Sequence, residues 1–335
     1  MITWEITDLH LKLLYEWKIA RNSSSSKHNL LITISSDDSI GQGEVAPNVR
    51  YGESAALLHK QFSEIRPMLL RNSHLLPIEF SSFLHSLPIA NALKNGLETA
   101  YVHLYCHQHH MPVFNLLGIE APDAQIYTSY TLPIMPPKQI GDFIAQHDLT
   151  RFKSLKIKVN KETAVDLVVE TLKHYSGPLR IDGNETWTNE IEVMHFFETV
   201  STDRIEFMEQ PLPEKSVIEY RKLKKISPIP IILDESITDN PNFDLLAEQC
   251  NGVNMKMMKA GGYYNGLAIL KEARKYDLST MIGCMIETTL GIFSAINLSN
   301  RINYLDLDGF FVIENDPFTL VKEENGGLIV NKEIF

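Results

Sequence analysis

The sequence has little cysteine, and this scarcity excludes two kinds of stabilised fold. Its 335 residues include three cysteines, Cys106, Cys250 and Cys284, too few and too scattered for a disulfide framework. The CxxC and Cys/His spacings that mark structural zinc sites are also absent. We therefore expect a protein of the reducing cytoplasm.

Basic charge and long apolar runs are lacking as well. The formal net charge is −11 at pH 7, and no basic stripe offsets it, so we expect neither a nucleic-acid partner nor a membrane partner. No segment approaches the roughly 18 uninterrupted apolar residues of a membrane span. The first residues, MITWEITDLHLKL, alternate as a strand does and lack the basic-then-apolar order of a signal peptide.

The first third of the chain has the pattern of a small α+β domain. Three strand-like segments occupy the first 50 residues, and the polar segment 22–29, NSSSSKHN, is predicted to be a longer loop between the first two. From Gly52 to Leu117 apolar residues recur at helical spacing. We assign residues 1–120 to this domain, and we expect residues 311–335, with a turn at Asn325-Gly326-Gly327, to complete it.

The remainder of the chain, residues 121–310, has the pattern of a parallel β/α barrel. Short β-branched runs alternate with segments long enough for a helix, and eight runs within roughly 185 residues favour a barrel over an open sheet. The predicted strands cover residues 127–133, 154–159, 179–182, 205–209, 230–234, 252–256, 280–284 and 304–308.

Carboxylates stand at the ends of three consecutive predicted strands. Asp182, Glu209 and Asp234 are separated by 27 and 25 residues, about one strand–loop–helix–loop unit each. All three acids would therefore lie at the carboxyl rim, where such barrels keep their active sites. Three hard oxygen donors at one point are suited to Mg²⁺, so we expect a divalent metal site.

Lysines occur on two other predicted strands. Lys156 and Lys158 share one face of the second strand, where each ammonium group disfavours protonation of the other and suits one of them to act as a base. Lys256 ends the sixth strand, roughly across the barrel from the second, 22 residues after Asp234. Lys259 lies past that strand end, so we do not expect a direct role for it. The alternative for the first pair is two solvated strand-end lysines.

The eighth strand carries two acids on one face. Asp306 and Asp308 have no lysine or arginine nearby in the sequence, which predicts a pocket for a cation, most simply an ammonium group. The alternative is that they cap the next turn. Cys284, at the end of the seventh strand, is predicted to be a pocket wall and not a nucleophile, because no histidine follows in a partner position.

Two further features have less specific meaning. A histidine cluster in the first domain, where His103 and His107 have i,i+4 spacing, is predicted to be a solvated helix end. The glycines of KAGGYYNG, at 259–266, are predicted to form a tight strand-to-helix turn that could hold an anion.

Several segments together resemble the enolase superfamily, in particular its muconate-lactonizing subgroup and the dipeptide epimerases within it. The matching segments follow the family's order and spacing: KIK at 156–158, IDGNETW at 181–187, MEQPL at 208–212, LDES at 233–236, NMKMMKAGG at 254–262 and MIGCMIETTLG at 281–291. GQGEVAP followed by YGES resembles the family's capping domain. One departure is DGNETW in place of DANQGW, which alters the rim beside Asp182.

The resemblance implies a fold, a metal and a set of roles. The fold would be a (β/α)7β TIM-like barrel with an α+β N-terminal capping domain, and one Mg²⁺ per subunit would be bound by Asp182, Glu209 and Asp234. Lys158 and Lys256 would be the acid/base pair. Thr131 matches a substrate-contacting position, and Asp306 with Asp308 resembles the pair that binds the substrate's α-ammonium group. Family members often assemble, so we expect a homo-oligomer.

The implied reaction is epimerisation of a dipeptide at the α-carbon of its C-terminal residue. One lysine would remove the α-proton, an enediolate would be stabilised by Mg²⁺, and the other lysine would return a proton from the opposite face. Lys156 would help neutralise the substrate carboxylate. The segment from Arg21 to His28 should cover the pocket, which Cys284 and Ile286 would also line.

Substrate choice and reaction class have alternatives at this point. The serine-rich segment favours Ala-Xaa dipeptides with broad, neutral or hydrophobic side chains, whereas Arg21 and Lys27 could pair with a glutamate side chain. A cycloisomerase or o-succinylbenzoate synthase of the same superfamily would use the same lysines and metal. A Schiff-base aldolase would use Lys256 as its nucleophile.

Overall fold

The chain begins with an antiparallel sheet built on one long hairpin. A computed structural model of the protein describes residues 2–18 and 23–331, and of Lys18 it describes the backbone alone. Strands β1 (Ile2–Lys18), β2 (Ser23–Ser36) and β3 (Ser39–Val45) pair in that order. Alternate apolar side chains of the sheet are buried against helices, which is why this face forms the first core.

The predicted loop at 22–29 is wrong over its described part. Residues 23–29 belong to β2, and they pair with β1 from Leu9 opposite Asn29 to Lys18 opposite Ser23. Because β1 is 17 residues long, its backbone offers partners to Ser26 and, after a shift of register between Lys12 and Trp17, to Ser24 and Ser23. These hydrogen bonds outweigh the low strand preference of serine. Arg21 and Asn22 lie outside the described residues.

Helices cover one face of this sheet. They are α1 (Ala55–Asn72), α2 (Pro77–His85), α3 (Asn91–Gln108) and the short α4 (Val113–Leu116). Helix α3 packs directly on β3: a Cβ atom at Gly43 would lie 2.1 Å from the carbonyl oxygen of Gly96. The absence of a side chain at Gly43 therefore allows the helix and strand backbones to touch.

The second part of the chain forms eight parallel strands, and all eight predicted strands are confirmed. Neighbouring strands follow in sequence order from β5 to β12, after a short strand β4 (Ile126–Tyr127) that lies outside this sheet. The strands are β5 (Ser129–Leu132), β6 (Ser154–Lys158), β7 (Leu179–Asp182), β8 (Ile205–Glu209), β9 (Ile231–Leu233), β10 (Gly252–Lys256), β11 (Ser279–Gly283) and β12 (Tyr304–Asp306).

Helices between these strands complete the β/α barrel. They are α5 (Ile140–Gln146), α6 (Ala164–His174), α7 (Glu190–Thr199), α8 (Val217–Ile226), α9 (Phe243–Gln249), α10 (Met257–Ala260), α11 (Tyr263–Lys275) and α12 (Thr289–Ile296). The first and last strands meet through side chains: the Ser129 hydroxyl donates to Asp306 Oδ1 at 2.7 Å, and the Leu307 N–H donates to Thr128 Oγ1 at 2.7 Å. Among the described residues, no helix is both long and apolar enough to cross a membrane.

The C-terminal segment forms a hairpin of β13 (Val321–Glu324) and β14 (Gly327–Val330), with the predicted turn at Asn325 and Gly326 in left-handed conformations. β14 pairs with β4, whereas the contact with the N-terminal sheet is a bridge from Leu13 to Ile313. One hydrophobic cluster lies under the N-terminal sheet and another surrounds the barrel. Val321 and Leu328 of the C-terminal hairpin pack in the barrel cluster, whereas Val312 and Ile313 pack against Leu11 and Leu13 of β1. The division into 1–120, completed by 311–335, and 121–310 stays our prediction.

Candidate active site

The barrel fold brings the three strand-end carboxylates together. Asp182 and Glu209 are register partners on β7 and β8, and Asp234 directly follows β9. Their side chains are almost fully buried, with residue exposures of 0%, 0% and 5%. The expectation that these three acids share one part of the rim therefore agrees with the geometry.

Two buried amide side chains hold the acids in position. Gln210 accepts a hydrogen bond from the Asp234 N–H at 2.9 Å, and its amide nitrogen donates to Ser236 Oγ at 3.0 Å. Asn254 on β10 donates to Glu209 Oε1 at 2.8 Å. Neither residue was predicted from the sequence, although Gln210 lies in MEQPL and Asn254 begins NMKMMKAGG.

Lys156 lies at the centre of the acids. This position differs from the expectation that the ammonium group of Lys158 lowers the pKa of Lys156. Its Nζ is 3.1 Å from Asp182, 2.7 Å from Glu209 and 2.8 Å from Asp306. Burial alone would lower the pKa of Lys156, but these carboxylates outweigh burial and raise the pKa well above its ordinary value. Lys156 is therefore a fixed positive charge in this structure.

The other two predicted lysines face each other across the barrel. β6 and β10 are separated by three strands in either direction around the eight-stranded sheet, so Lys158 and Lys256 approach the centre from opposite sides. Lys158 Nζ lies 2.7 Å from Asp182 Oδ2, and Lys256 Nζ lies 2.9 Å from Asp234 Oδ2.

Lys259 is also part of this charge cluster, although it lies past the end of β10. The one-turn helix α10 turns the chain back, and the buried Lys259 ammonium lies 2.5 Å from Asp234 Oδ1 and also donates to the Asp234 carbonyl. Lys256 lines the cavity described below, whereas Lys259 does not. Lys259 therefore balances the charge of Asp234 from behind.

The acids differ in how much positive charge they receive. Burial would raise the pKa of Asp234, but Lys256 and Lys259 outweigh it and hold the pKa well below its usual range; Lys156 and Lys158 do the same for Asp182. Burial raises the pKa of Glu209 to about 7. The charges of Asp182 and Asp234 raise this pKa further, whereas the charge of Lys156 lowers it.

The donor set fits a divalent cation that prefers oxygen ligands. Asp182, Glu209 and Asp234 supply carboxylate oxygens on adjacent strand ends, as Mg²⁺ coordination requires. These three residues could therefore hold Mg²⁺, and Asp234 among them lines the cavity described below.

Asp306, the last residue of β12, and Asp308, two residues further on, have different partners. Asp306 accepts hydrogen bonds from Lys156 Nζ at 2.8 Å and from the Ser129 hydroxyl at 2.7 Å, so its cation is already supplied by the chain. Asp308 accepts the Thr131 N–H at 2.6 Å and forms no ion pair among the described residues. Burial and the charge of Asp306 raise the pKa of Asp308 to about 7. Asp308 is therefore the acid that can receive an external cation.

A cavity of about 550 Å³ lies above these groups. The predicted residues Thr131, Lys156, Lys158, Lys256, Cys284, Ile286, Asp306 and Asp308 line it, whereas Arg21 lies outside the described residues. The Cys284 thiol donates to the Asp306 carbonyl at 3.3 Å, and burial raises its pKa well above the ordinary value, as befits a wall and not a nucleophile.

The N-terminal domain closes this cavity from above. Trp17, Lys27 and Asn29 of the first hairpin line it, together with the segment 46–51 after β3. Asn29 donates to the Ile286 carbonyl at 2.9 Å and to Glu44 at 2.8 Å. Short segments of the first domain are thus hydrogen-bonded to the barrel rim.

A second connection uses the departure from the family motif. Arg50 Nη2 lies 2.8 Å from Glu185 and 3.1 Å from Glu214, and the Glu214 N–H donates to the same Glu185 oxygen at 3.0 Å. Glu185, in DGNETW, therefore holds the segment after β3 over the rim.

The two less specific features have structural roles. The carboxylate of Glu98 accepts the Tyr264 N–H at 3.0 Å at the start of α11, and a Cβ at Gly262 would lie 2.4 Å from it. The place predicted for an anion at the glycine turn is thus occupied by the Glu98 carboxyl group of the chain itself. His103 is not at a solvated helix end: its ring nitrogens contact the Gln42 carbonyl at 2.7 Å and the Tyr263 hydroxyl at 2.9 Å.

Comparison with known proteins places this geometry in context. Residues 140–320 match the family described as enolase C-terminal domain-like. A hydrophobic dipeptide epimerase of Flavobacteria bacterium (strain MS024-2A) is 31% identical, over 92% of this chain and 89% of that protein. An L-Ala-D/L-amino acid epimerase of Pedosphaera parvula (strain Ellin514) is also 31% identical, over 94% of this chain and 92% of that protein.

Solved structures show the same fold. A dipeptide epimerase from Methylococcus capsulatus, complexed with Mg and the dipeptide L-Arg-D-Lys, superimposes with a TM-score of 0.87 at 26% identity, covering 98% of this chain and 96% of that one.

Proposed function

The chain belongs to the enolase C-terminal domain-like family, and we propose that it is a Mg²⁺-dependent epimerase acting on the C-terminal residue of dipeptides. The observation that carries the proposal is the placement of Lys158 and Lys256 on opposite strands of the barrel, above three clustered carboxylates. The names of the two relatives, and the Mg and dipeptide in the related structure, support it.

Epimerisation requires a proton to leave one face of the α-carbon and to return on the other. Mg²⁺ bound to Asp182, Glu209 and Asp234 would polarise the substrate carboxylate. It would also neutralise part of the negative charge of Asp182 and Asp234, which Lys158 and Lys256 contact in this structure. Lys158 would take or give the proton on one face, and Lys256 on the other. Lys156, held by three acids, would stay protonated and face the substrate carboxylate as a fixed charge.

The dipeptide's α-ammonium group would bind at Asp308. This carboxylate lies in the cavity wall, is oriented by the Thr131 N–H at 2.6 Å, and forms no ion pair with the described residues. Asp306 would act beside it mainly by holding Lys156 at 2.8 Å. Because β5 and β12 are the first and last strands of the eight-stranded sheet, this subsite would form where the barrel closes.

The side-chain preference that we propose is a neutral or hydrophobic Xaa in Ala-Xaa dipeptides. Trp17 and Ile286 supply apolar wall, and Ile286 packs in a cluster with Leu11, Leu13 and Val312. The competing preference, glutamate, would use Lys27, which also lines the cavity. A cytoplasmic location and a homo-oligomeric state remain our predictions; light scattering after size exclusion tests the second.

The competing reactions receive less support. A metal-free aldolase would use Lys256 as its nucleophile, which leaves the three clustered carboxylates of Asp182, Glu209 and Asp234 without a role. A cycloisomerase with an acidic substrate would gain nothing from Asp308.

Proton NMR of the Mg²⁺-loaded protein with a panel of L-Ala-L-Xaa dipeptides in D₂O tests the proposal. We expect loss of the Xaa α-proton signal with appearance of the second diastereomer, and abolition of both by EDTA. If no dipeptide exchanges, the proposal fails, and lactonised or dehydrated products from acidic substrates would indicate a cycloisomerase. Covalent trapping by borohydride with a carbonyl substrate would indicate the aldolase.

A further inference from the structure

Three histidines and one aspartate meet on an exposed part of the first hairpin, beside α1 and away from the active site. Asp8 and His10 alternate with Leu9 and Leu11 along β1, so the polar pair and the apolar pair point to opposite faces. His28 on β2 stands directly opposite His10. His59 on α1 approaches the same face and brings a third structural element to the cluster.

Ring nitrogens of two histidines in this cluster contact the same carboxylate oxygen. Nε2 of His28 lies 2.7 Å from Asp8 Oδ1, and Nε2 of His59 lies 2.9 Å from the same atom. The His10 and His28 ring centroids are 4.4 Å apart. One ligand atom each from Asp8, His10 and His28 lie within 4.8 Å of one another.

These distances are close to those of a metal-bound set. Zn²⁺ binds imidazole nitrogen and carboxylate oxygen at about 2.0–2.2 Å, which separates two tetrahedral ligand atoms by about 3.3 Å. The cluster is exposed at the surface, so small side-chain rotations suffice to open the hydrogen bonds around a cation of this size.

We propose that Asp8, His10, His28 and His59 form a second metal site, for a transition-metal dication of the Zn²⁺ class. Three imidazoles and one carboxylate suit Zn²⁺, Ni²⁺ or Cu²⁺, whereas Mg²⁺ prefers oxygen donors. The two metal sites of this protein therefore differ in their chemistry.

A cation at this site would join the hairpin to α1. The opposite face of the same hairpin carries Leu11, in contact with the Ile286 cluster, and its continuation places Trp17 and Lys27 in the cavity wall. A metal bound by residues from β1, β2 and α1 would therefore stabilise the strands that cover the active site. This effect acts on stability and does not depend on the proposed reaction.

The competing interpretation is a surface network of hydrogen bonds and ion pairs that holds no metal, which predicts no stoichiometric binding. Two variants test the site, His28→Ala and Asp8→Asn, and both change exposed side chains. The matched control is His195→Ala on α7, an exposed histidine that faces a single carboxylate, Glu198, at 3.8 Å.

Isothermal titration with Zn²⁺ in excess Mg²⁺ is the experiment, with Co²⁺ absorption spectra as a second measure. We expect the unmodified protein and His195→Ala to bind one Zn²⁺ more than His28→Ala, or to bind it more than about tenfold more tightly. The intense visible bands of nitrogen-ligated tetrahedral Co²⁺ should weaken in His28→Ala and Asp8→Asn. Equal stoichiometry, affinity and spectra in all four proteins would overturn the proposal, whatever the epimerase assays show.

Discussion

Substitution of Asp308 by asparagine tests the ammonium subsite most sharply. The amide oxygen that Asp308→Asn introduces can still accept the Thr131 N–H that now binds Oδ2 at 2.6 Å, so the wall should keep its shape while it loses its charge. A hydrogen bond to a charged group contributes about 1.5–3 kcal/mol, so kcat/KM for a free dipeptide should fall by about 10- to 150-fold.

The charge of Asp308 also predicts a pH dependence. Because burial and Asp306 raise its pKa to about 7, the carboxylate is neutral below that pH and cannot pair with the substrate's ammonium group. A substrate amine is itself protonated below about pH 8. We therefore expect kcat/KM of the unmodified protein to decline as pH falls through about 7, with that decline absent in Asp308→Asn.

The assay compares a free Ala-Xaa dipeptide with its N-acetyl derivative, which has no ammonium group. The unmodified protein should prefer the free dipeptide, and Asp308→Asn should lose most of that preference while treating the acetylated substrate as before. An undiminished preference in Asp308→Asn, measured between about pH 6 and pH 9 to span the titration of both groups, would refute the assignment.

Three further changes have defined outcomes. Burial raises the pKa of Glu98 to about 7, so the folded state holds a proton that the unfolded state releases above about pH 4.5. The free energy of unfolding should therefore fall by up to about 3 kcal/mol as pH rises from 4.5 to 7. Urea unfolding of Glu98→Gln should not show this fall. Gly43→Ala would place a Cβ 2.1 Å from Gly96 O and should lower the free energy of unfolding by at least about 2 kcal/mol, whereas an unchanged urea midpoint would contradict the close packing of α3 on β3. Lys27→Met should leave kcat/KM for L-Ala-L-Leu within a few-fold and reduce any activity on L-Ala-L-Glu; a reduced rate with both substrates would show a structural role instead.

The sequence contained enough information for the barrel and its rim acids because both depend on local patterns. Strand ends such as Asp182 and Glu209 follow directly from short β-branched runs, and parallel strands bring their ends to one edge. The error over segment 22–29 has the opposite cause. Its serines have weak strand preference, and only the length of β1 provides them with backbone partners.

Contacts between distant segments were beyond the reach of sequence patterns. The pair Lys156 and Asp306 is 150 positions apart, and the contact between Asn29 and Ile286 spans 257. Lys259 was discounted because it lies past a strand end, yet α10 returns it to Asp234. The His10–His28 pair likewise depends on hairpin register, since the spacing of these residues matches no metal motif.

The central claim, two lysines serving opposite faces of one α-carbon, is tested most directly by stereospecific proton exchange in D₂O. Lys158→Met and Lys256→Met should each lose epimerisation by about 10²–10⁴-fold, and each should still exchange the α-proton of one diastereomer, a different one for each variant. Lys161→Met, an exposed lysine 2.6 Å from Glu192, is the control that should remain active. Continued interconversion of diastereomers by either active-site variant, or exchange of the same diastereomer by both, would contradict the account.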